Sequence, residues 1–230
     1  MHREEIFTEL SLSYDELVHY LLNKYGGAVS DYFATPECNS HSKKISRTSE
    51  GLYCHHIDED KGGNLSSPMG AKNQPYAWQK KERLVYCNIL EHLLLHIKIA
   101  VLRQKKRFYK PAEIDSFFTT GGIYEICKDI NDMYSQDGSN TKWVQRCYAE
   151  IKDNYADYIL LLKTIITYLQ KQYYGEKSDS ALLKKGSRAK FSDGSCAITG
   201  VCFFPEKVRL QTERHDVPPL YGCGGKSLSQ

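Results

Sequence analysis

The run L-V-Y-C-N-I-L-E-H-L-L-L-H, which begins at Leu84, constrains the fold more than any other part of the sequence. Its first four residues are β-prone, and from Ile89 to about Phe108 apolar side chains recur at helical spacing. Asn88 stands between the two patterns and Glu91 follows three residues later, which is the spacing of a helix-capping box. The sequence therefore predicts a short strand that passes directly into a long helix.

Histidines are concentrated around this strand and helix. Of the eight histidines in the chain, His92 and His96 lie four residues apart on the predicted helix and project from one face. His55 and His56 are adjacent in the segment C-H-H-I-D-E-D-K-G-G-N, at the end of a second short strand predicted over Gly51 to Ile57. Histidines spaced by four on a helix can both reach one ion, so the segment indicates a metal site.

The composition is that of a globular protein without a membrane-spanning segment. The 230 residues suffice for one large domain or two small ones, and the hydrophobic fraction of 41% provides a sizeable core. No run of 18 apolar residues occurs, and the polar start of the chain does not read as a secretory signal. Eight cysteines without a C-x-x-C pair are typical of free thiols in a reducing compartment, so we expect a cytoplasmic protein.

The order of strand, loop, strand and helix resembles that of the HNH endonucleases, which have the ββα-metal fold. The resemblance covers Gly51 to Ala100, and is carried by the histidine pair, the Gly-Gly-Asn loop, the L-V-Y strand and the segment L-E-H-L-L-L-H. It implies a metal-dependent endonuclease that hydrolyses DNA phosphodiester bonds. The implied cofactor is one divalent ion, Mg²⁺ or Mn²⁺ before Zn²⁺ or Ni²⁺, and a restriction or phage-associated role follows by analogy.

By position, the resemblance gives each of the four histidines a role. His56 matches the general base, which takes a proton from the attacking water, and a histidine pKa of about 6.5 suits that step near neutral pH. His55 and His92 match metal ligands. His96 matches an additional histidine that binds metal or phosphate in some members of the family.

The chain departs from the family pattern at Arg83. The family has an asparagine nine positions before its final histidine, and this position is Arg83 when His92 is aligned with that histidine. Arginine offers five donors and no acceptor, and it carries a permanent charge. We expect Arg83 to take part in catalysis, paired with a substrate phosphate or with a loop carboxylate such as Asp58 or Asp60.

We expect an α+β, mostly helical fold in which a ββα-metal core is embedded in a helical scaffold. Near the start, Ser13 and Glu16 form a capping box for a helix over Tyr14 to Lys24. A long helix is predicted over Lys142 to Tyr174, with Trp143 on its buried side. The four predicted regions are 1–50, an N-terminal helix and basic loop; 51–110, the nuclease core; 111–175, the helical scaffold; and 176–230, a small β-prone appendage with a disordered tail.

Positive charge is clustered although the net charge is only +3, so a polyanionic partner is allowed but not required. Cations at a helix C-terminus are also favoured by the helix dipole, so the basic residues at the end of the predicted helix from Ile89 have a structural role as well. We expect the clusters to contact DNA phosphates. They consist of Lys43, Lys44 and Arg47; of Arg103, Lys105, Lys106 and Arg107; and of Lys184, Lys185 and Arg188.

The histidine pattern is also compatible with purely structural roles. The four histidines could be core-edge and strand-end residues, and Cys54 and Cys87 could join histidines in a structural zinc site. Cys54 adjoins His55 on a strand, so its side chain should point to the opposite face. The alternative functions are a non-catalytic nucleic-acid-binding protein with a structural metal and a nuclease toxin acting on RNA or DNA. The oligomeric state stays open, a homodimer included.

Overall fold

The computed structural model describes residues 3–105, 122–135 and 141–162. Over these ranges the chain is mostly helical with one small two-stranded sheet, so the predicted α+β class is confirmed. The elements are α1 (Arg3–Ser11), α2 (Tyr14–Tyr25), β1 (Tyr53–His56), α3 (Pro68–Lys72), β2 (Leu84–Cys87), α4 (Ile89–Lys105), α5 (Ile123–Ser135), α6 (Lys142–Ile151) and α7 (residues 155–162). The predicted C-terminal appendage lies outside the described residues.

The two strands pair antiparallel over their full length. Tyr53 is opposite Cys87, and His56 is opposite Leu84. Because successive side chains of a strand point to opposite faces, Tyr53 and His55 share one face and His56 lies on the other. The adjacent histidines therefore enter two different environments.

The junction between β2 and α4 is the predicted capping box. The Asn88 side-chain oxygen accepts hydrogen bonds from the backbone N–H groups of Leu90 and Glu91, at 2.9 and 3.0 Å. In return, the Asn88 N–H donates to the Glu91 carboxylate at 2.6 Å. A single residue thus separates the sheet from the helix, and it fixes the direction of α4 relative to the strands.

Helix α4 is the centre of the core. It contacts both strands, and α2, α5 and α6 pack against it. Leu93, Leu95 and Ile99 are almost completely buried. Helix α2 begins with the predicted reciprocal capping box between Ser13 and Glu16 and ends at Gly26, and it also contacts β2. This packing holds α2 against the sheet and against α4, which carries His92 and His96.

The prediction of one continuous helix over Lys142 to Tyr174 was wrong for its first part, and its part after residue 162 lies outside the described residues. Helix α6 ends at Ile151, and α7 follows after a short turn. The Asn154 N–H bonds to the Ile151 carbonyl at 2.8 Å, and the Asn154 side chain donates to Asp157 at 3.1 Å, so this asparagine starts a new helix. Trp143, predicted to be buried, is 41% exposed.

The described part of the chain bears on two further predictions. None of its helices has the length and apolar character needed to cross a bilayer. Its five cysteines are all free thiols, as the cysteine spacing predicts. They are Cys38, Cys54, Cys87, Cys127 and Cys147.

Candidate metal centre

Three histidines converge between the sheet and α4. His55 comes from the face of β1 that looks towards the helix, and His92 and His96 come from the first two turns of α4. One ring nitrogen of each lies within 4.8 Å of the other two. The Nε2 atoms of His92 and His96 are 3.1 Å apart, as their spacing of four residues on one helix face permits.

The ring atoms suit a bound cation. His55 Nδ1 and His92 Nδ1 are buried and have no hydrogen-bond partner. An unpaired buried polar atom costs roughly 1–3 kcal/mol, and coordination through Nδ1 would remove that cost for His55. Ligand atoms around a tetrahedral zinc are roughly 3.3 Å apart, because each lies 2.0–2.1 Å from the ion. The 3.1 Å between His92 and His96 is close to that spacing. Three histidines that could hold a metal ion are therefore present together.

Glu59 adds a carboxylate next to these rings. It lies in the 3-10 turn Ile57–Asp60, directly after β1. Its Oε2 atom is 3.5 Å from His55 Nδ1 and 3.8 Å from His96 Nε2. Glu59 could therefore supply a fourth ligand. The sequence-based site did not include it, although its position three residues after the histidine pair was a usable signal.

Burial keeps the rings of His55 and His92 neutral. His55 is 1% exposed, and desolvation lowers its pKa well below the ordinary value. A charge on His96 or His92 would lower the pKa of His55 further. The pKa of His92 is lowered for the same reasons, burial first and the His96 charge second. A neutral imidazole has one nitrogen lone pair free to coordinate, which is what metal binding requires.

Aromatic and backbone contacts fix the ring positions. Tyr53 stacks on His92, with ring centroids 5.6 Å apart. Gly122 lies beside His96: a Cβ at this glycine would be 3.3 Å from the imidazole Cε1, and the glycine has a φ of +83°. The backbone entering α5 therefore passes close to α4, and a side chain at Gly122 would displace the His96 ring.

Tyr14, at the start of α2, contacts the remaining side of the site. Its hydroxyl donates to the Ile57 carbonyl oxygen at 2.9 Å and lies 3.1 Å from His55 Nε2. Burial raises the pKa of this phenol, so the proton stays on the oxygen. Nothing in the local sequence around Tyr14 indicated this contact, because 41 residues separate it from His55.

His56, the predicted general base, is not part of this cluster. It points to the other face of β1, where its Nε2 atom is 2.8 Å from Gln79 Oε1. Gln79 donates its own amide to the Leu65 carbonyl at 3.3 Å, so the amide oxygen is turned to His56 and must accept from it. The lone pair of His56 is therefore on Nδ1. Burial lowers the pKa of His56 to about 4, and the Tyr32 ring lies 4.3 Å away.

Arg83 is paired with Asp58, one of the two carboxylates that the sequence offered. The guanidinium donates to both carboxylate oxygens, at 2.5 and 2.6 Å, and Lys61 adds a third bond. Burial alone would raise the pKa of Asp58, but these hydrogen bonds outweigh it and hold that pKa below its ordinary value. Because Asp58 precedes Glu59, Arg83 braces the turn that carries Glu59 to the histidines.

The predicted nucleic-acid contacts are only partly described. Lys43 and Lys44 are exposed. Arg47 bonds to Glu50 and to the Tyr25 carbonyl, and it covers the Tyr86 ring at 4.7 Å. Its guanidinium is therefore engaged within the protein. The side chains of Arg103 and Lys105 lie outside the described residues, as do Lys106, Arg107, Lys184, Lys185 and Arg188 entirely.

Neither Cys54 nor Cys87 belongs to the histidine cluster. A second group of acids, Glu5, Glu9 and Glu91, is also close enough to hold a cation. Lys24 already supplies one: its ammonium is 2.7 Å from Glu91 and 3.8 Å from Glu9, and it bonds to Glu5. The acidic group therefore already surrounds a cation that the protein itself supplies.

Comparison of the chain with protein-family models, with curated proteins and with solved structures gives no match.

Proposed function

We propose that this protein is a metal-dependent endonuclease that hydrolyses DNA phosphodiester bonds with a ββα-metal arrangement. The observation that carries the proposal is the convergence of His55, His92 and His96, which come from a strand–strand–helix segment in the order that the HNH resemblance implies. The buried rings of His55 and His92 are neutral, so they need not lose a charge before they bind a cation.

The three imidazole ligands favour Zn²⁺ or Ni²⁺ over Mg²⁺ or Mn²⁺, the ions that the HNH resemblance puts first. Imidazole nitrogens suit zinc and nickel, whereas magnesium and manganese prefer oxygen ligands. His55, His92 and His96 would hold the ion, with Glu59 available as an oxygen donor. When bound, such an ion stabilises the charge that develops on the phosphoryl group and on the leaving 3′ oxygen.

Two residues near the centre have roles that do not require them to bind the ion. His56 is neutral and held by Gln79, so its Nδ1 lone pair is available to take a proton from water. Arg83 holds the turn through Asp58, which is the loop-bracing role that an asparagine has in the family. The exposed Lys43 and Lys44 would contact phosphates outside the centre.

A second function, a non-catalytic nucleic-acid-binding protein with a structural metal, has one observation in its favour. His55 and His56 are each only 1% exposed, whereas a catalytic centre must admit a phosphate and a water molecule. In that case the ion would link the sheet to α4 and contribute to stability alone. The two functions make different predictions for cleavage but the same prediction for metal binding.

The test is cleavage of supercoiled plasmid and of a folded RNA by purified protein with Zn²⁺, Ni²⁺, Mg²⁺, Mn²⁺ or EDTA. We expect plasmid nicking that EDTA abolishes. His92→Ala should lose both metal uptake and cleavage, whereas His56→Ala should keep the metal and lose cleavage by about 10²–10⁴-fold. His19→Ala, which alters an exposed histidine of α2, is the matched control and should retain both.

The outcomes separate the candidates. Metal uptake without cleavage of either substrate would contradict the endonuclease and favour the structural metal. Cleavage of RNA alone would move the substrate class from DNA to RNA. Calorimetric titrations of His55→Ala and His92→Ala that match the wild type would contradict the ligand assignment itself.

A further inference from the structure

The hydrogen bonds of Tyr14 determine which nitrogen of His55 carries the proton. A carbonyl oxygen can only accept, so the single hydroxyl proton of Tyr14 is used in the 2.9 Å bond to Ile57. Towards His55 Nε2, 3.1 Å away, the phenol oxygen can then only accept. His55 must therefore donate, which requires the proton on Nε2.

A neutral imidazole has one N–H group and one lone pair, so the lone pair of His55 is on Nδ1. This atom is buried and without a hydrogen-bond partner, and it is the His55 atom that lies 3.5 Å from Glu59 Oε2. The same carboxylate oxygen is 3.8 Å from His96 Nε2. The lone pair thus faces the region that His96 and Glu59 share.

We propose that Tyr14 is a positioning residue of the metal centre: it holds His55 as the Nε2–H tautomer, so that Nδ1 is the ligand atom. This inference rests on the proposed metal centre. It assigns a function to α2, because Tyr14 is the first residue of that helix and follows the Ser13 cap. The metal site is then complete only when α2 is docked on the sheet.

The first test is independent of any metal. Long-range ¹H–¹⁵N NMR spectra of the metal-free wild type report the tautomer of each histidine ring, with His55→Gln used to assign the signals. We expect His55 to be Nε2–H. A proton on Nδ1 would overturn the inference, whether or not the protein binds a metal.

The second test compares Co²⁺ binding by wild type, Tyr14→Phe and Tyr32→Phe, followed by the visible absorption of the bound ion. Outer-shell partners of ligating histidines are typically worth 10–100-fold in metal affinity, so Tyr14→Phe should bind Co²⁺ about 10–100-fold more weakly. Its ¹H–¹⁵N spectra should also show His55 in a mixture of tautomers. Tyr32→Phe removes a hydroxyl from the ring beside His56, on the other face of β1, and should bind Co²⁺ as the wild type does.

The results for the two proposals are distinguishable. No uptake of Co²⁺ by the wild type would contradict the metal centre and hence the proposed function. Equal Co²⁺ affinity of wild type and Tyr14→Phe would contradict only the role of Tyr14. Circular dichroism and thermal unfolding of both variants establish that the affinities compare folded proteins, and the wild-type NMR result decides the tautomer if Tyr14→Phe does not fold.

Discussion

Acid should destabilise the metal-free protein through His56, and the structure gives the size of the effect. Burial lowers the pKa of this ring to about 4, against 6.5 for an ordinary histidine. Between these values the unfolded chain binds a proton that the folded protein does not, so stability present above pH 6.5 is lost as the pH falls towards 4. The full pKa difference corresponds to about 3 kcal/mol in the free energy of unfolding, of which about 2 kcal/mol is lost by pH 5.

The measurement is urea unfolding in EDTA at pH 7.5 and pH 5.0, for the wild type and for His56→Gln. Glutamine can still donate to Gln79 but does not titrate in this range. Taking the difference between the two proteins cancels the contributions of His55 and His92, which have the same sign. We expect the stability of the wild type relative to His56→Gln to fall by about 2 kcal/mol between the two pH values.

Glu9 provides a control of opposite sign. Burial, and then the charge of Glu91, raises its pKa to about 8. The folded protein therefore holds a proton that the unfolded chain releases between pH 4.5 and 8, and acid stabilises the fold through this group. The stability of the wild type relative to Glu9→Gln should rise from pH 7.5 to 5.0.

A difference in unfolding free energy between wild type and His56→Gln that does not change with pH would refute the assignment of His56 as a buried, neutral ring.

Three further predictions concern the site and the substrate. Arg83→Ala should keep the metal but nick plasmid at least tenfold more slowly, a loss of about 1.4 kcal/mol of transition-state stabilisation. Arg83→Asn should retain more activity than Arg83→Ala. Equal rates for wild type and Arg83→Ala would contradict the bracing role. Glu59→Gln should weaken zinc binding by roughly tenfold, or about 1.4 kcal/mol, and calorimetry with an unchanged affinity would exclude it as a ligand. Replacing Lys105, Lys106 and Arg107 with glutamine should reduce the log–log salt dependence of DNA binding by roughly 0.9 for each phosphate that is no longer neutralised. An unchanged slope would mean that these residues do not contact DNA phosphates.

The parts of the fold that could be predicted are those with a local cause. The second strand and the cap at Asn88 follow from a β-prone run, a capping residue and an amphipathic repeat that adjoin in sequence. The pairing of His92 with His96 follows from their spacing on one helix face, whereas the inclusion of His55 came from the HNH resemblance.

The residues that could not be predicted act over long separations. Tyr14 is 41 residues from His55, and Gln79 is 23 residues from His56, so neither pairing leaves a local signal. The break before α7 had a different cause. Apolar residues continue at helical spacing through it, and the local hydrogen bonds of Asn154 override that pattern.

The adjacency of His55 and His56 gives the small sheet an unusual dependence on its register. A slip of β1 by one residue along β2 would bring His56 to the helix and turn His55 towards Gln79, because strand side chains alternate with a period of two. The ladder that opposes this slip has only the four residue pairs from Tyr53 to His56. Because a histidine would face α4 in either register, a bound cation alone would not select between the two alignments, and the 2.9 Å hydrogen bond from Tyr14 to the Ile57 carbonyl, directly after β1, holds the strand in the observed one.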